Sequence, residues 1–283
     1  MQFEIVPAHD LSTTEQLTVF NDAFAGYLAG WSEMDSATFG RFACLQGADL
    51  CHSRFVREKD GPLLGFGYMS HTGNTSRLCG MGLVPAGRKT GAATHLLLHL
   101  IDEARMRREK IMVLEVFEQN LPAYKLYQRN GFREVTRLFG WRRAAGLPVP
   151  ETPPIQLEES SILAVSQIRN ALDYPELPWQ ISRHAIVKLP LAQAFRDENA
   201  CTVIGDPAAA TIRLHGFFAE SFDWSQLRTL TAAILSRYGD KEFFAPAIFP
   251  EQFGREIFEP LGFIREPLNQ FLMRRELDDQ PPS

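Results

Sequence analysis

In the first half of the chain the apolar positions alternate between two periods. Around Thr14–Leu28 and Ser36–Gln46 they recur every three or four residues, the spacing of amphipathic helices. Ser53–Glu58, Leu63–Thr72 and Arg77–Val84 read as strands, with "KDGP" turning the chain between the first two. The helical period returns over Gly91–Arg108, where Leu97, Leu100, Ile101 and Ala104 share one face. "KIMVLEVF" is short, β-branched and largely apolar, as expected in the middle of a sheet. "LPAYKLYQRNG" reads as a short helix with Pro122 in its first turn and Gly131 just past its end. "FREVTRLFGWRR" reads as a strand that closes the domain. Strands first, then a β-α-β-α-β order, predict an α/β domain with a mixed sheet.

The clearest boundary is "AAGLPVPETPPIQ", whose four prolines and lack of periodic apolar positions predict a stiff, extended linker. The expected organisation is a domain over 1–145, a proline-rich linker over 146–156 and a second domain over 157–283. The two halves end alike: Gly131-Phe132 aligns with Gly262-Phe263, and Tyr127 with Phe258. With a one-residue slip, Trp141-Arg142-Arg143 aligns with Met273-Arg274-Arg275. Two copies of one domain are expected.

With 283 residues, 45% hydrophobic and 22% charged, the composition is that of an ordinary globular protein. A net charge of −5 and a pI near 5.8 argue against a nucleic-acid partner. Four scattered cysteines without a CxxC pair fit reduced, mostly buried thiols. "MQFEIVPAHD" lacks the apolar run of a signal peptide, and "HLLLHLI" is too short to span a membrane. A cytoplasmic location and no membrane partner are the expectations.

Candidate chemistry concentrates in "LVPAGRKTGAATHLLLHLIDEA". A helix N-terminus leaves its first N–H groups unpaired and carries partial positive charge, so a glycine-bearing loop before it can cradle a phosphate. Gly91 permits close backbone approach, Ala92 and Ala93 keep the first turn unobstructed, and Arg88, Lys89 and Thr90 precede them. No GK[ST] follows a glycine-rich run, and the stretch is no GxGxxG either. Its spacing instead resembles the V-x-P-x-x-R-x-x-G-x-G/A signature of the GNAT acetyltransferases, at Leu83, Pro85, Arg88, Gly91 and Ala93. "NLPAYKLYQRNGF" resembles that family's second signature, at Asn120, Ala123, Leu126, Tyr127, Gly131 and Phe132. The resemblance runs from about Phe3 to Arg143. Together with the internal repeat it implies two tandem GNAT-like domains, each a central mixed β-sheet flanked by helices, and by itself it implies acetyl-coenzyme A as co-substrate and no metal. The loop amides are then expected on the pyrophosphate, and the Leu83 and Val84 backbone on the pantetheine arm. Asn120 is expected at the pantetheine end and Tyr127 near the thioester sulfur.

Acetyl transfer to an amine needs a neutral amine, a polarised carbonyl and a stabilised leaving thiolate. Tyr127 can protonate the sulfur, while Tyr124 lies on another helix face and reads as packing. The backbone N–H of Val84 or Leu83 can polarise the carbonyl. The strand entering the loop, "RLCGMGLV", carries no carboxylate. Glu115, Glu118 and His71 are therefore the base candidates, or else an ion-pair partner in the sheet, a capping or loop residue and an exposed turn residue respectively, with a water chain or an amine delivered neutral as alternatives to any of them. Trp31, Glu33 and Asp35 would suit a cationic amine, or simply cap the next helix. His95 and His99, spaced i, i+4, read as helix-surface residues, and nothing places partners around Cys79 to make it a nucleophile.

In the second half Glu220 and Asp223 stand where the first has Arg88 and Lys89, Phe258 replaces Tyr127, and Glu251 replaces Asn120. That copy is expected to be non-catalytic, with "DYPELPWQISRH" as a pocket wall or a structured loop. The expected activity is acetylation of a small-molecule amine. A protein lysine or N-terminus as acceptor, and a non-catalytic acetyl-coenzyme A sensor, are the alternatives. A monomer with an intrachain pseudo-dimer, or a homodimer, would accommodate two copies.

Overall fold

A computed structural model describes residues 2–30, 33–168, 177–198, 200–219 and 223–277. The chain divides into two compact units, Met1–Val135 with Leu272–Ser283, and Thr136–Phe271.

The first unit runs β1 (Phe3–Pro7), α1 (Thr13–Phe24), α2 (Ser36–Gln46), β2 (Asp49–Glu58), β3 (Leu63–Thr72), β4 (Thr75–Leu83), α3 (Ala92–Met106), β5 (Ile111–Phe117) and α4 (Leu121–Arg129). Local chemistry starts its helices: Ser12 and Glu15 form a capping box on α1, and Asp35 accepts from the Thr38 N–H at 2.7 Å to cap α2. The strands lie in the order β1-β2-β3-β4-β5, with β4 and β5 parallel and the other neighbours antiparallel. Strand alternation sends Phe66 toward Phe20 of α1, ring centroids 5.0 Å apart, and turns Gly67 toward Leu100 of α3. Helices therefore cover both faces. Leu96, Leu97, Leu100, Ile101 and Ala104 form the buried stripe of α3. The predicted elements appear within two residues of their expected ends, except that α1 stops at Phe24, four residues early, and β2 starts at Asp49, four residues early. Strand β1, five residues ending in proline, was not anticipated.

The chain continues with β6 (Arg133–Arg143), β7 (Glu158–Ser160), α5 (Ile162–Gln167), α6 (Arg183–Ile186), β8 (Gln193–Asp197), β9 (Ala200–Ile204), β10 (Thr211–Ala219), α7 (Trp224–Arg237), β11 (Glu242–Pro250), α8 (Glu251–Phe253) and β12 (Ile264–Arg265). Strands of the second unit follow the order β6-β11-β10-β9-β8-β7 around a core that includes Trp141, Phe217, Leu227, Leu230, Phe243 and Phe258. The last strand, β13 (Gln270–Glu276), neighbours β5, and the Leu277 N–H donates to the Lys110 carbonyl at 2.8 Å.

The closing strands are thus exchanged relative to a linear reading. From Thr136 onward β6 belongs to the second unit, and from Leu272 onward β13 belongs to the first. The two strands end in similar residues, and nothing in a strand's own pattern says which sheet edge it covers.

The units share a further repeat. Thr75-Ser76-Arg77-Leu78-Cys79-Gly80 in β4 matches Thr211-Ile212-Arg213-Leu214-His215-Gly216 in β10. Each strand bulges at the fifth position, where Cys79 or His215 is the extra residue against its antiparallel neighbour. The cysteines depart from expectation: all four are free, but Cys44 and Cys51 are exposed, Cys79 is half-buried and only Cys201 is buried.

Candidate active site

Parallel pairing of β4 with β5 ends at Leu78↔Leu114, although β4 runs on to Leu83 and β5 to Phe117. The Cys79 bulge bends β4 at this point, so the two strands part. Beyond it, Gly65 pairs with Leu83, and the Val84 N–H donates to the Leu64 carbonyl at 3.0 Å. Antiparallel alternation then turns the Leu83 N–H away from β3, toward the opened side. Of the two amides expected to polarise a carbonyl, Val84 is therefore already bonded within the sheet, and Leu83 is the one presented.

The loop after β4 is held from several directions. The exposed Arg88 donates from Nε to the Leu83 carbonyl at 3.3 Å and from Nη2 to the Ala23 carbonyl at 3.2 Å. Lys89 sits at φ 63° and Gly91 at φ 98°, the left-handed conformation that favours glycine. Gly87 leaves no room for a side chain, because a Cβ there would lie 2.6 Å from the Leu64 carbonyl oxygen. Thr90 Oγ1 donates to the Gly87 carbonyl at 2.8 Å and accepts from the Ala92 N–H at 3.3 Å. Helix α3 has no acid in its first turn and no side-chain cap from Gly91, and its first intrahelical bond is His95 N–H to the Gly91 carbonyl. The Ala93 and Thr94 amides precede that bond at the positive end of a 15-residue helix. The amides of such a terminus can donate hydrogen bonds to an anion.

Tyr127 projects from α4 and is 7% exposed, its ring edge-on to Phe132. Burial, with the neighbouring Tyr27 hydroxyl adding to it, pushes its phenol well above the ordinary value, so it stays protonated. Asn120 caps α4, its Oδ1 accepting from the Ala123 N–H at 3.4 Å, while its Nδ2 donates to the Tyr27 hydroxyl at 3.5 Å. Tyr27 is the residue that sequence reasoning missed. It lies 93 positions from Asn120, and no local pattern marks it. The Tyr124 hydroxyl, on another face of α4, donates to Glu134 at 2.5 Å.

The base candidates separate. Glu115 is paired with Arg77 at 2.7 Å, with both side chains under 5% exposed, and Arg77 also donates to the Gln46 side chain at 3.0 Å. Burial works against the Arg77 charge, but Glu115 outweighs it and raises the guanidinium above its ordinary value. His71 lies opposite Ser76, six residues along β3 from Gly65, which is about 20 Å at the rise of a strand. It is remote from Leu83. Glu118 stands half-buried in the turn between β5 and α4. Burial pushes the Cys79 thiol up to about 11, which leaves it a poor nucleophile. Asp35 serves as the α2 cap, Glu33 is exposed, and Trp31 lies outside the described residues. Asn21 anchors this loop by exchanging two bonds of 3.0 Å with the Met34 backbone.

The second unit's counterpart is different. Asp223 accepts from the Ser225 and Gln226 amides at 2.8 and 3.3 Å, so α7 begins with its own carboxylate on its first N–H groups. Phe258 is fully buried against Trp141. Glu220 lies outside the described residues.

Residues 17–132 match the model of the Acetyltransferase (GNAT) family. No curated protein matches the chain. Among solved structures it resembles a tandem GNAT protein from the clavulanic acid biosynthesis pathway, 14% identical over 100% of both chains with a TM-score of 0.61. A GCN5-related N-acetyltransferase from Anabaena variabilis is 12% identical over 98% of this chain and 73% of that one, with a TM-score of 0.64. One from Sphaerobacter thermophilus is 13% identical over 97% and 96%, with a TM-score of 0.56. At such identities the likeness establishes the fold. The chain has the mixed α/β fold of tandem GNAT proteins, and the stretch that matches the GNAT family model lies within its first unit.

Proposed function

We propose that the first unit binds acetyl-coenzyme A along the opened side of β4 and transfers the acetyl group to a primary amine of a small molecule. The observation that carries this reading is the parting of β4 and β5 on the strand that leads into α3, whose Ala93 and Thr94 amides precede the helix's first bond. When bound, acetyl-coenzyme A supplies the thioester. The Ala93 and Thr94 amides and Lys89 face its pyrophosphate, and the Leu83 N–H donates to the thioester carbonyl as negative charge develops there. Tyr127 holds its proton at the phenolic oxygen until the C–S bond breaks, then gives it to the sulfur. The attacking nitrogen loses its surplus proton to water or to Glu118. Glu115 is left out, because its carboxylate neutralises Arg77.

That same pairing favours a second reading, a non-catalytic acetyl-coenzyme A sensor, since no carboxylate on β4 or β5 is left over as a base. Thiol release across a panel of amines separates the two. Tyr127→Phe should cut turnover about 100-fold or more while coenzyme affinity stays within about twofold. Tight binding without turnover on any amine would establish the sensor. Equal turnover in Tyr127→Phe would remove Tyr127 as the acid.

A further inference from the structure

Asp49, His52 and His71 belong to no part of the proposed acetyl-transfer site, and among the described residues they are the group of three side chains whose metal-ligating atoms converge, all within 4.8 Å. We propose that they form a zinc-binding site at the Thr72 end of β3.

A large irregularity in β2 creates the arrangement. Asp49 pairs with Met69 and Arg54 with Gly67, so β2 advances five residues while β3 advances two. The extra residues are locked in place. Ser53 Oγ donates to the Asp49 carbonyl at 2.6 Å and accepts from the Met69 N–H at 3.0 Å. Arg54 Nη1 donates to the Cys51 and Ser53 carbonyls at 2.7 and 2.9 Å. The Cys51 N–H donates to Asp49 Oδ1 at 2.8 Å, which fixes one carboxylate oxygen and turns the other outward. Onto that Oδ2 converge His52 Nδ1 at 2.9 Å and His71 Nδ1 at 3.8 Å, from neighbouring strands. The two rings stand edge to face, 4.8 Å apart and 85° to each other.

A hydrogen bond accounts for His52, but 3.8 Å is beyond hydrogen-bond length, so it does not account for His71. Zinc at about 2.0–2.1 Å from each of three ligands in a tetrahedron sets them about 3.3 Å apart, between the two observed separations. Two imidazoles and one carboxylate suit zinc, whereas magnesium and calcium favour oxygen donors throughout. The Cys51 amide supplies the outer contact that orients a ligating carboxylate. The three side chains are 28–38% exposed, enough for an ion to enter and keep a water as fourth ligand.

The test is calorimetric titration of the chelator-stripped full chain with zinc chloride, beside His71→Ala, Asp49→Asn and His99→Ala. One equivalent should bind, at least tenfold more weakly in the first two variants and unchanged in the third, which removes a helix-surface histidine instead. Cobalt(II) added to the wild type should give the intense visible absorption of a tetrahedral site, a readout independent of any variant's folding. Absence of stoichiometric binding, wild-type affinity in His71→Ala, or cobalt bound without that absorption would each overturn the proposal.

Discussion

Burial keeps the Tyr127 phenol protonated, which suits a group that must hold a proton until a thiolate departs. Glu115 is buried under the opposite constraint, since its charge balances Arg77. Glu115→Ala should destabilise the first unit by about 3–5 kcal/mol, because a buried guanidinium is left without its partner. Urea denaturation reads this directly, and unchanged stability with lost activity would restore Glu115 as the base. Tyr127 and Asn120 were legible from their signature. The identity of Glu115's partner was not, because Arg77 lies 38 residues earlier on the adjacent strand and only sheet pairing brings them together. In the second unit, burial with Arg213 nearby lowers His215 from 6.5 to about 4. Between those values the unfolded chain binds a proton that the folded unit refuses. Stability is therefore full above about pH 6.5 and falls as the pH drops toward 4. Melting temperatures across that range should show the slope, and His215→Gln should flatten it.

At the scale of elements, the site depends on one bulge and one loop. The periods of α3 and β5 were readable because each buries one face. The bulge at Cys79 was not, although Thr-x-Arg-Leu-x-Gly recurs in β10. The copies diverge immediately afterward, one into a glycine loop and the other into an acid-capped helix. Gly91 at φ 98° carries the turn into α3. Gly91→Val should cost roughly 1–2 kcal/mol from the left-handed backbone alone and should weaken acetyl-coenzyme A binding more than tenfold. Calorimetry together with thermal melting checks both. Wild-type affinity in this variant would mean that the loop adapts and is not the cradle.

For the whole molecule, the sequence pointed to two copies but not to the exchange of their closing strands. That exchange is a choice between edges of equivalent hydrogen-bonding pattern, invisible to periodicity. It has a consequence for truncation. Ending the chain at Glu266 removes β13, the strand beside β5, and should abolish acetyl-coenzyme A binding although every motif residue remains. Undiminished binding would show that β5 does not need this strand. The central claim is one live site in a chain with two copies of the fold, and stoichiometry tests it most directly. Calorimetric titration of acetyl-coenzyme A into the full chain should give one site per chain. Arg88→Glu, which cuts the ties to Leu83 and Ala23 and adds negative charge to the loop, should lose it. Two sites, or one that survives this substitution, would contradict the account, and no binding at all would leave the fold without the function proposed for it.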